Sequence, residues 1–215
     1  MPNISEENNK FGESYFLKLS DATFSDEKYK EEYGLIMKVM SPKPGDKILD
    51  IGCGKGQLGL YLKDKEKDCD VTFSDISAKA GEYVSGYKFV QCSMTETPFL
   101  DNSFDKIYSL STISHIDDIN KAIKEMLRIS KREILISTNN KWCVYLYRLA
   151  SFFKLIPKFQ YDKTVKCLYS SITLENLFKR NGWKIKNIYH YGKYPSSKLK
   201  IDFLKTRLLI HAEKN

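Results

Sequence analysis

The sequence contains no long apolar run: no window reaches the roughly 18 apolar residues that a membrane-spanning helix requires. Its amino terminus, MPNISEENNKFGES, is acidic and polar, which argues against a signal peptide or a mitochondrial presequence. The five cysteines are scattered, odd in number and without a C-x-x-C pair. This pattern argues against a structural zinc site, and we predict no metal. The expectation is a cytoplasmic protein with reduced thiols.

Positive charge is abundant but unevenly distributed. The net charge is +8, yet residues 141–215 carry 16 Lys and Arg against 4 Asp and Glu, while residues 1–140 carry 19 against 23. A basic carboxyl-terminal third suits nucleic acid, anionic lipid or an anionic substrate. A solvated, lysine-rich surface explains it equally well, so these interpretations stay open.

Short β-branched runs alternate with polar helical segments through the middle of the chain, which predicts βαβ units and a largely parallel sheet. The predicted strands are 47–52, 70–76, 88–92, 104–110 and 132–138, and the predicted helices are 56–64, 77–84 and 117–130. An amphipathic helix over 26–40 precedes them, after a loose tail at residues 1–10. At 215 residues we expect one domain.

The end of the chain breaks this alternation. We predict a helix over 173–183, capped by Thr173 and stopped by Asn181 and Gly182. Two strands follow, 183–192 and 206–214, without a helix between them. This order favours an antiparallel pairing at one edge of the sheet.

The stretch ILDIGCGKGQLG holds overlapping glycine patterns: G-x-G-x-x-G from Gly54 to Gly59, and D-x-G-x-G-x-G from Asp50 to Gly56. In a nucleotide-binding loop the first glycine stands where the strand ends and the chain turns into a helix. The first predicted strand ends immediately before Gly52. The second register therefore fits, and Gly59 is left inside the helix as a site of close packing.

Two acidic residues indicate the kind of ligand. Asp50 lies within an apolar strand, where a carboxylate is costly unless it has a partner, and it would repel a pyrophosphate. It favours a ligand with a positively charged amino-acid end. Asp75 ends the second predicted strand, where an acidic residue can accept both ribose hydroxyls. Alternatively, Asp75 caps the helix that begins near Ser77.

The stretches ILDIGCGKGQLG, FSDIS, FVQCSMTETPFLDNSFDKIYSLSTISHIDD and REILISTNN together resemble, in their order, the motifs of class I S-adenosylmethionine-dependent methyltransferases. The resemblance points to the small-molecule branch that is similar to the ubiquinone and menaquinone biosynthesis enzymes, and it runs from about residue 45 to 140. It implies a Rossmann-like, seven-stranded, mostly parallel α/β sheet with an antiparallel last strand, helices on both faces, and S-adenosylmethionine as cofactor.

Matched residue by residue, the resemblance implies a set of cofactor-binding positions. They are Asp50, Gly52, Cys53, Gly54 and Gly56 for the methionine end, Asp75 for the ribose, Ile76, Ser93 and Met94 around the adenine, and Ser109 and Leu110 beside the amine and sulfonium. Ser93 departs from the family, which usually has an Asp there. A hydroxyl still meets the adenine amino group, but with less charge assistance.

Methyl transfer is an in-line displacement that depends mainly on positioning, and an oxygen nucleophile also benefits from a base. His115 in STISHIDD is the candidate base, because it follows the fourth predicted strand. A role in shaping the pocket is the alternative. His190 and His211 fall within the last strands, where core or edge positions are expected.

Residues 141–170 form an insert after the fifth strand, with a segment at 142–156 that is apolar nearly all round. It is interpreted as a lid on the acceptor pocket, as an interfacial helix on anionic lipid, or as an ordinary buried helix. The first two interpretations point to a hydrophobic acceptor. The candidate acceptor-binding residues are Trp142, Tyr145, Phe152 and Tyr169, with Tyr161 and Lys163 helping to close the pocket.

The predicted function is O- or C-methylation of a small, hydrophobic or lipid-like acceptor by a single domain, residues 1–215, with 1–40 as tail and cap helix. An RNA methyltransferase that uses the basic third of the chain is the alternative. Against it, SLST replaces the N/D-P-P-Y/F loop of amino-methylating nucleic-acid enzymes, and no Pro-Cys or Thr-Cys follows the fourth or fifth strand. A dehydrogenase is disfavoured by the glycine register and by Asp50. The oligomeric state stays open.

Overall fold

The computed structural model describes residues 11, 15–16, 27–154, 165–192 and 205–214, and these alternate between strand and helix for most of their length. The strands are β1 (Lys47–Ile51), β2 (Asp70–Asp75), β3 (Lys88–Gln91), β4 (Phe104–Leu110), β5 (Ser130–Asn139), β6 (Trp183–Tyr191) and β7 (Arg207–Lys214). The helices are α1 (Glu27–Met40), α2 (Gln57–Lys65), α3 (Ala78–Tyr83), α4 (Ile119–Ile129), α5 (Lys141–Phe152) and α6 (Ser171–Arg180). The predictions for residues 1–10, Tyr161 and Lys163 fall outside the described residues.

The strands form one seven-stranded sheet in the order β3-β2-β1-β4-β5-β7-β6. Strands β1 to β5 pair in parallel, whereas β7 runs antiparallel between β5 and β6. The predicted fold class and the antiparallel last strand are thereby confirmed. Strand order reverses between β1 and β4, and in open α/β sheets ligands bind in the crevice at that switch point, beyond the carboxyl ends of the strands.

Helices cover both faces of the sheet because successive strand residues point to opposite sides. In β1, Ile48 packs with residues of α1 and α2, while Leu49 and Ile51 pack with residues of α4 and α6. All three side chains are buried. The strands therefore need apolar residues at consecutive positions, which explains the apolar runs in the sequence.

Two predicted helix boundaries were wrong. Helix α6 begins two residues before Thr173, because the Ser170 side chain caps it: the Thr173 backbone N–H donates to Ser170 Oγ at 3.2 Å. Helix α5 ends at Phe152, short of the predicted residue 156, with a turn at Phe153 and Lys154. Within the described ranges, no helix combines the length and the apolar character that crossing a membrane requires.

Candidate functional site

A cavity of 1190 Å³ opens at the carboxyl ends of the central strands. Its walls come from the segments that follow β1, β2, β3 and β4, from α1 and α5, and from β6 and β7. Its position beside the switch point between β1 and β4 is the one that the sheet order predicts. Its volume exceeds the upper end of the usual range for a ligand pocket, about 1000 Å³, so it has room for more than one small ligand.

The glycine loop after β1 has the predicted register. Gly52, Gly54 and Gly56 all adopt left-handed conformations, with φ of 71°, 55° and 68°. Gly52 turns the chain directly after Ile51, and its N–H donates to the Ser74 carbonyl at 2.8 Å. The chain therefore leaves β1 in conformations that side-chain-bearing residues rarely adopt.

Gly52 also lets the loop after β4 approach the loop after β1. A Cβ on Gly52 would lie 2.3 Å from Thr112 Cγ2, and the Thr112 hydroxyl donates to the Gly52 carbonyl at 3.0 Å. Gly59 has the close-packing role predicted for it, because a Cβ there would lie 2.2 Å from Phe73 Cε1. The glycines thus bring two loops and a helix onto the sheet at this edge.

Asp75 ties the glycine loop to the start of α3. Its Oδ2 accepts from the Gly54 N–H at 3.0 Å and its Oδ1 accepts from the Ser77 N–H at 2.9 Å. Ser77 is the N-cap residue of α3, so Asp75 supports the helix start from two residues before the cap and is not the cap itself. Burial raises the pKa of Asp75, which lines the cavity. Each carboxylate oxygen keeps a lone pair for a further hydroxyl.

Asp50 is a nearly fully buried carboxyl group at the cavity wall. Burial raises its pKa to about 8, against the lowering effect of the Tyr108 hydroxyl, and the negative charge of Asp75 raises it further. Among the residues described, no Lys or Arg forms an ion pair with Asp50. A buried carboxylate without a counter-ion is costly, so this position fits a ligand that brings a cation.

The cavity brings most of the predicted residues together. Those that line it are Asp50, Gly52, Cys53, Gly54, Asp75, Ile76, Ser93, Met94, Leu110 and His115. Those that do not are Gly56, Ser109, Trp142, Tyr145, Phe152 and Tyr169. Ser109 precedes Leu110 in β4 and is buried, and Tyr169 is buried beside the start of α5, where its carbonyl accepts from the Lys141 N–H at 3.3 Å.

Six aromatic side chains that were not predicted from the sequence also line the cavity. They are Phe11, Tyr15, Phe16, Tyr33, Tyr147 and Tyr191. The His115 ring meets Phe11 and Tyr15 edge to face, with centroids 6.0 and 6.5 Å apart. These aromatics come from four separate parts of the chain. No local pattern marks them, because only the folded sheet makes them neighbours.

A polar cluster at the same wall was also missed. Arg207 Nη2 donates to Ser111 Oγ at 2.5 Å, to Ser137 Oγ at 3.0 Å and to Glu32 Oε1 at 3.2 Å. The Tyr191 hydroxyl donates to the same Glu32 oxygen at 2.7 Å, and burial raises the Tyr191 pKa to about 12. Ser111, at the end of β4, holds a left-handed conformation with φ of 62°. Strain of this kind is typical of functional sites.

The segment before α6 closes over the turn that carries His115. The Ser114 carbonyl accepts from the Lys166 and Cys167 N–H groups at 2.8 and 3.1 Å, and the Lys166 ammonium forms an ion pair with Asp117. Val165 lines the cavity directly. Of the insert residues that the structure describes, 141–154 and 165–170, Tyr147 of α5 and Val165 reach the cavity.

Comparison with known proteins identifies the domain. Residues 49–136 match the family model described as a methyltransferase domain. Residues 49–136 therefore form a methyltransferase domain. The predicted class, and with it S-adenosylmethionine as the cofactor, is confirmed.

The relatives of this methyltransferase domain include enzymes of quinone biosynthesis. Over 133 residues the chain is 32% identical to the ubiquinone/menaquinone biosynthesis C-methyltransferase UbiE of Xanthomonas oryzae, an alignment that covers 54% of this chain and 52% of that protein. Over 84 residues it is 40% identical to phosphoethanolamine N-methyltransferase 3 of Arabidopsis thaliana, covering 35% of this chain and 17% of that protein. The chain thus spans about half the length of the UbiE relatives it matches.

Solved structures agree on the fold of the methyltransferase domain. Magnesium protoporphyrin IX methyltransferase from Synechocystis with bound SAH superimposes with a TM-score of 0.69 at 14% identity, covering 99% of this chain and 100% of that one. A SAM-dependent methyltransferase from Aquifex aeolicus gives 0.67 at 18% identity, covering 94% of this chain and 98% of that one. At these identities the likeness concerns the fold alone.

Proposed function

We propose that this chain transfers the methyl group of S-adenosylmethionine to an oxygen or carbon of a small, apolar ring compound. The observation that carries the proposal is that two unlike groups of residues line one cavity, which we call its cofactor half and its acceptor half. The cofactor half consists of the glycine loop, Asp50, Asp75 and the residues after β3. The acceptor half consists of the aromatic wall, the polar cluster and His115.

The residues of the cofactor half fit S-adenosylmethionine. The buried Asp50 carboxyl group lacks a cationic partner among the described residues, and the amino-acid end of the cofactor would bring an ammonium. Asp75 has lone pairs for the ribose hydroxyls. Ile76, Ser93 and Met94 would flank the adenine. When bound, the cofactor supplies a methyl group made electrophilic by its sulfonium.

The acceptor half favours a flat, mostly apolar molecule with polar oxygens. Aromatic side chains such as Tyr147 and Tyr191 pack against rings in offset or edge-to-face arrangements. The guanidinium of Arg207 and the hydroxyl of Ser111 offer hydrogen bonds to a ring oxygen. The name of the relatives, ubiquinone/menaquinone biosynthesis C-methyltransferase, supports an acceptor of this class and methylation at carbon.

His115 is the group that would receive the acceptor's proton. In the displacement the acceptor's electron pair forms the bond to the methyl carbon, the carbon–sulfur bond breaks, and its pair stays on sulfur. The acceptor then loses a proton, and a neutral imidazole at the cavity wall can take it. The edge-to-face contacts with Phe11 and Tyr15 hold the His115 ring in place. Exclusion of water by these aromatics assists the displacement.

The test is methyl transfer by the full chain. Protein is incubated with methyl-labelled S-adenosylmethionine and a benzoquinol that carries a short apolar chain, in parallel with phosphoethanolamine and with a mixed-sequence RNA. We expect label in the quinol, together with micromolar cofactor binding by calorimetry. Label in phosphoethanolamine would contradict the apolar ring acceptor. The comparisons with known proteins do not support the RNA alternative, and label in RNA would reverse that conclusion.

The test needs a variant that separates cofactor binding from folding. In Asp75→Asn an amide N–H₂ would face the Gly54 or Ser77 N–H, so two donors would oppose each other. We expect cofactor affinity to fall about tenfold or more, since hydrogen bonds to charged groups contribute about 1.5–3 kcal/mol. Asp105→Asn, at the amino-terminal end of β4, is the matched control and should leave the affinity unchanged.

A further inference from the structure

One surface of the molecule is unusually apolar. Among the described residues, ten large hydrophobic side chains are exposed, and six of them lie within 142–153. The α5 outer face consists of these six: Trp142 (52% exposed), Tyr145 (44%), Leu146 (39%), Leu149 (54%), Phe152 (79%) and Phe153 (61%). Such a cluster on the surface of a water-exposed domain marks an interaction site.

The spacing of these residues makes a single helix face. Trp142, Tyr145, Leu146, Leu149 and Phe152 follow one another at three or four positions, or multiples of these, so they share one side of α5. Cys143 and Val144 point the other way and are buried. Because the side chains of the α5 outer face are exposed, the interpretation of α5 as an ordinary buried helix is excluded. Tyr147 lines the cavity. One helix thus separates the acceptor half of the cavity from the exposed apolar surface.

The charged residues of the segment that carries the α5 outer face have one sign. Lys141, Arg148 and Lys154 lie along its edges, and no Asp or Glu occurs between residues 140 and 161. The Lys141 ammonium lies 5.6 Å from the centroid of the Tyr145 ring, so this cation stands at the border of the aromatic surface. A helix with Trp, Phe and Leu on one side and cations along its edge has the composition of an interfacial helix on anionic lipid.

We propose that the α5 outer face docks this protein on an anionic lipid bilayer. A second copy of the chain is a poorer occupant, because a two-fold contact through this face would bring the cations of both copies together. The cationic edge is instead complementary to an anionic surface. The proposal extends the proposed function, because docking would place Tyr147 and the acceptor half next to the phase that dissolves an apolar acceptor.

The test is flotation of the full chain with vesicles of phosphatidylcholine, with or without phosphatidylglycerol. We expect binding to the anionic vesicles that is about tenfold or more stronger than to the neutral ones, because each Lys or Arg near an anionic surface contributes to binding. Trp142→Ser with Phe152→Ser should lower the binding about tenfold or more. Arg148→Glu should lower binding to anionic vesicles alone.

The matched control substitutions lie near the amino-terminal ends of strands, opposite to the end of the sheet that carries α5. Leu100→Ser removes an equally exposed apolar side chain before β4, and Lys184→Glu makes the same charge reversal at the start of β6. Both should bind vesicles like the unmodified chain. Melting temperatures and calorimetry of S-adenosylmethionine on the same preparations separate loss of docking from loss of fold or cofactor site.

Three results would overturn the proposal. The first is a folded, cofactor-binding protein that does not float with anionic vesicles. The second is flotation that is the same in the Trp142 and Phe152 double variant. The third is a dimer in sedimentation equilibrium that the same two substitutions dissociate, which would assign the face to a second copy. Failure of methyl transfer would leave all three readouts unaffected, so the two proposals fail independently.

Discussion

The two halves of the cavity are built in different ways. The cofactor half comes largely from one stretch of fewer than 30 residues, Asp50 to Ser77, in which backbone conformation and two carboxylates do most of the positioning. The acceptor half is made of side chains from α1, the loop after β4, α5, β6 and β7, together with Phe11, Tyr15 and Phe16. A local loop presents the same backbone groups wherever it forms. A wall of side chains from distant parts of the chain can instead be altered by substituting one residue at a time. The cofactor half is therefore specified by one local stretch of sequence, whereas the acceptor half is specified by the whole fold.

The largest expected effect is in the cofactor half, with Gly52→Ala. A methyl group there would lie 2.3 Å from Thr112 Cγ2, on a backbone with φ of 71°. Left-handed strain of about 1–2 kcal/mol and overpacking of about 1–3 kcal/mol both act on the loop. We expect calorimetry to show an affinity for S-adenosylmethionine lowered by about 100-fold or more.

Gly45→Ala is the matched control for that prediction. Gly45 is exposed, has φ of 83°, and a Cβ there would meet nothing within 4 Å. The Gly45→Ala variant has the backbone strain without the steric clash, at a position away from the cavity. We expect a lower melting temperature with unchanged cofactor affinity. Equal losses of affinity in the two variants would mean that strain alone disables the loop.

The features that could be predicted from the sequence lie mainly in the cofactor half, and those that could not lie mainly in the acceptor half. The strand boundaries, the Gly52 register and the neighbourhood of Asp50 and Asp75 depend on local patterns, and the structure has them close to where they were predicted. Arg207 and Glu32 meet through contacts between residues 175 positions apart, which no local pattern encodes. The exposure of α5 could not be predicted from the sequence either, since an apolar helix has the same composition whether the protein core, a lipid bilayer or another protein covers it.

The next effect concerns catalysis in the acceptor half. If His115 accepts the acceptor's proton, His115→Ala should lower kcat about 100-fold, the lower end for general-base catalysis, without changing cofactor affinity. His115→Phe keeps a ring between Phe11 and Tyr15 but cannot accept a proton. We expect both variants to lose kcat equally in single-turnover assays. Normal kcat in His115→Phe would reduce the role of His115 to shaping the pocket.

A smaller effect is expected at the polar cluster of the acceptor half. Arg207→Met removes the donor that joins Ser111, Ser137 and Glu32, and it should raise the KM for the acceptor about tenfold, as expected for hydrogen bonds to a charged group. The affinity for S-adenosylmethionine should not change. Arg132→Met, which breaks an ion pair with Asp46 at the other edge of the sheet, is the matched control. A parallel loss of cofactor affinity in Arg207→Met would place the cluster in the cofactor half.

The smallest effect is a pH dependence that belongs to the cofactor half alone. Because the pKa of Asp50 is about 8 in the free protein, the group is mostly protonated at pH 7. A carboxyl group whose pKa is raised by folding holds its proton more tightly in the folded state, so its contribution to stability is lost as the pH rises from its ordinary pKa of about 4 towards 8.

An ammonium beside Asp50 favours the carboxylate, so cofactor binding at pH 7 should release most of one proton. The affinity should rise about fivefold between pH 7 and 8 on account of this group. Calorimetry in two buffers of different ionisation enthalpy measures the proton directly. Asp75 also has a raised pKa, and the Asp50→Asn variant assigns the effect: proton release should disappear there. If proton release persists in Asp50→Asn, the proton comes from Asp75, and the cation-binding role would be assigned to Asp75 instead of Asp50.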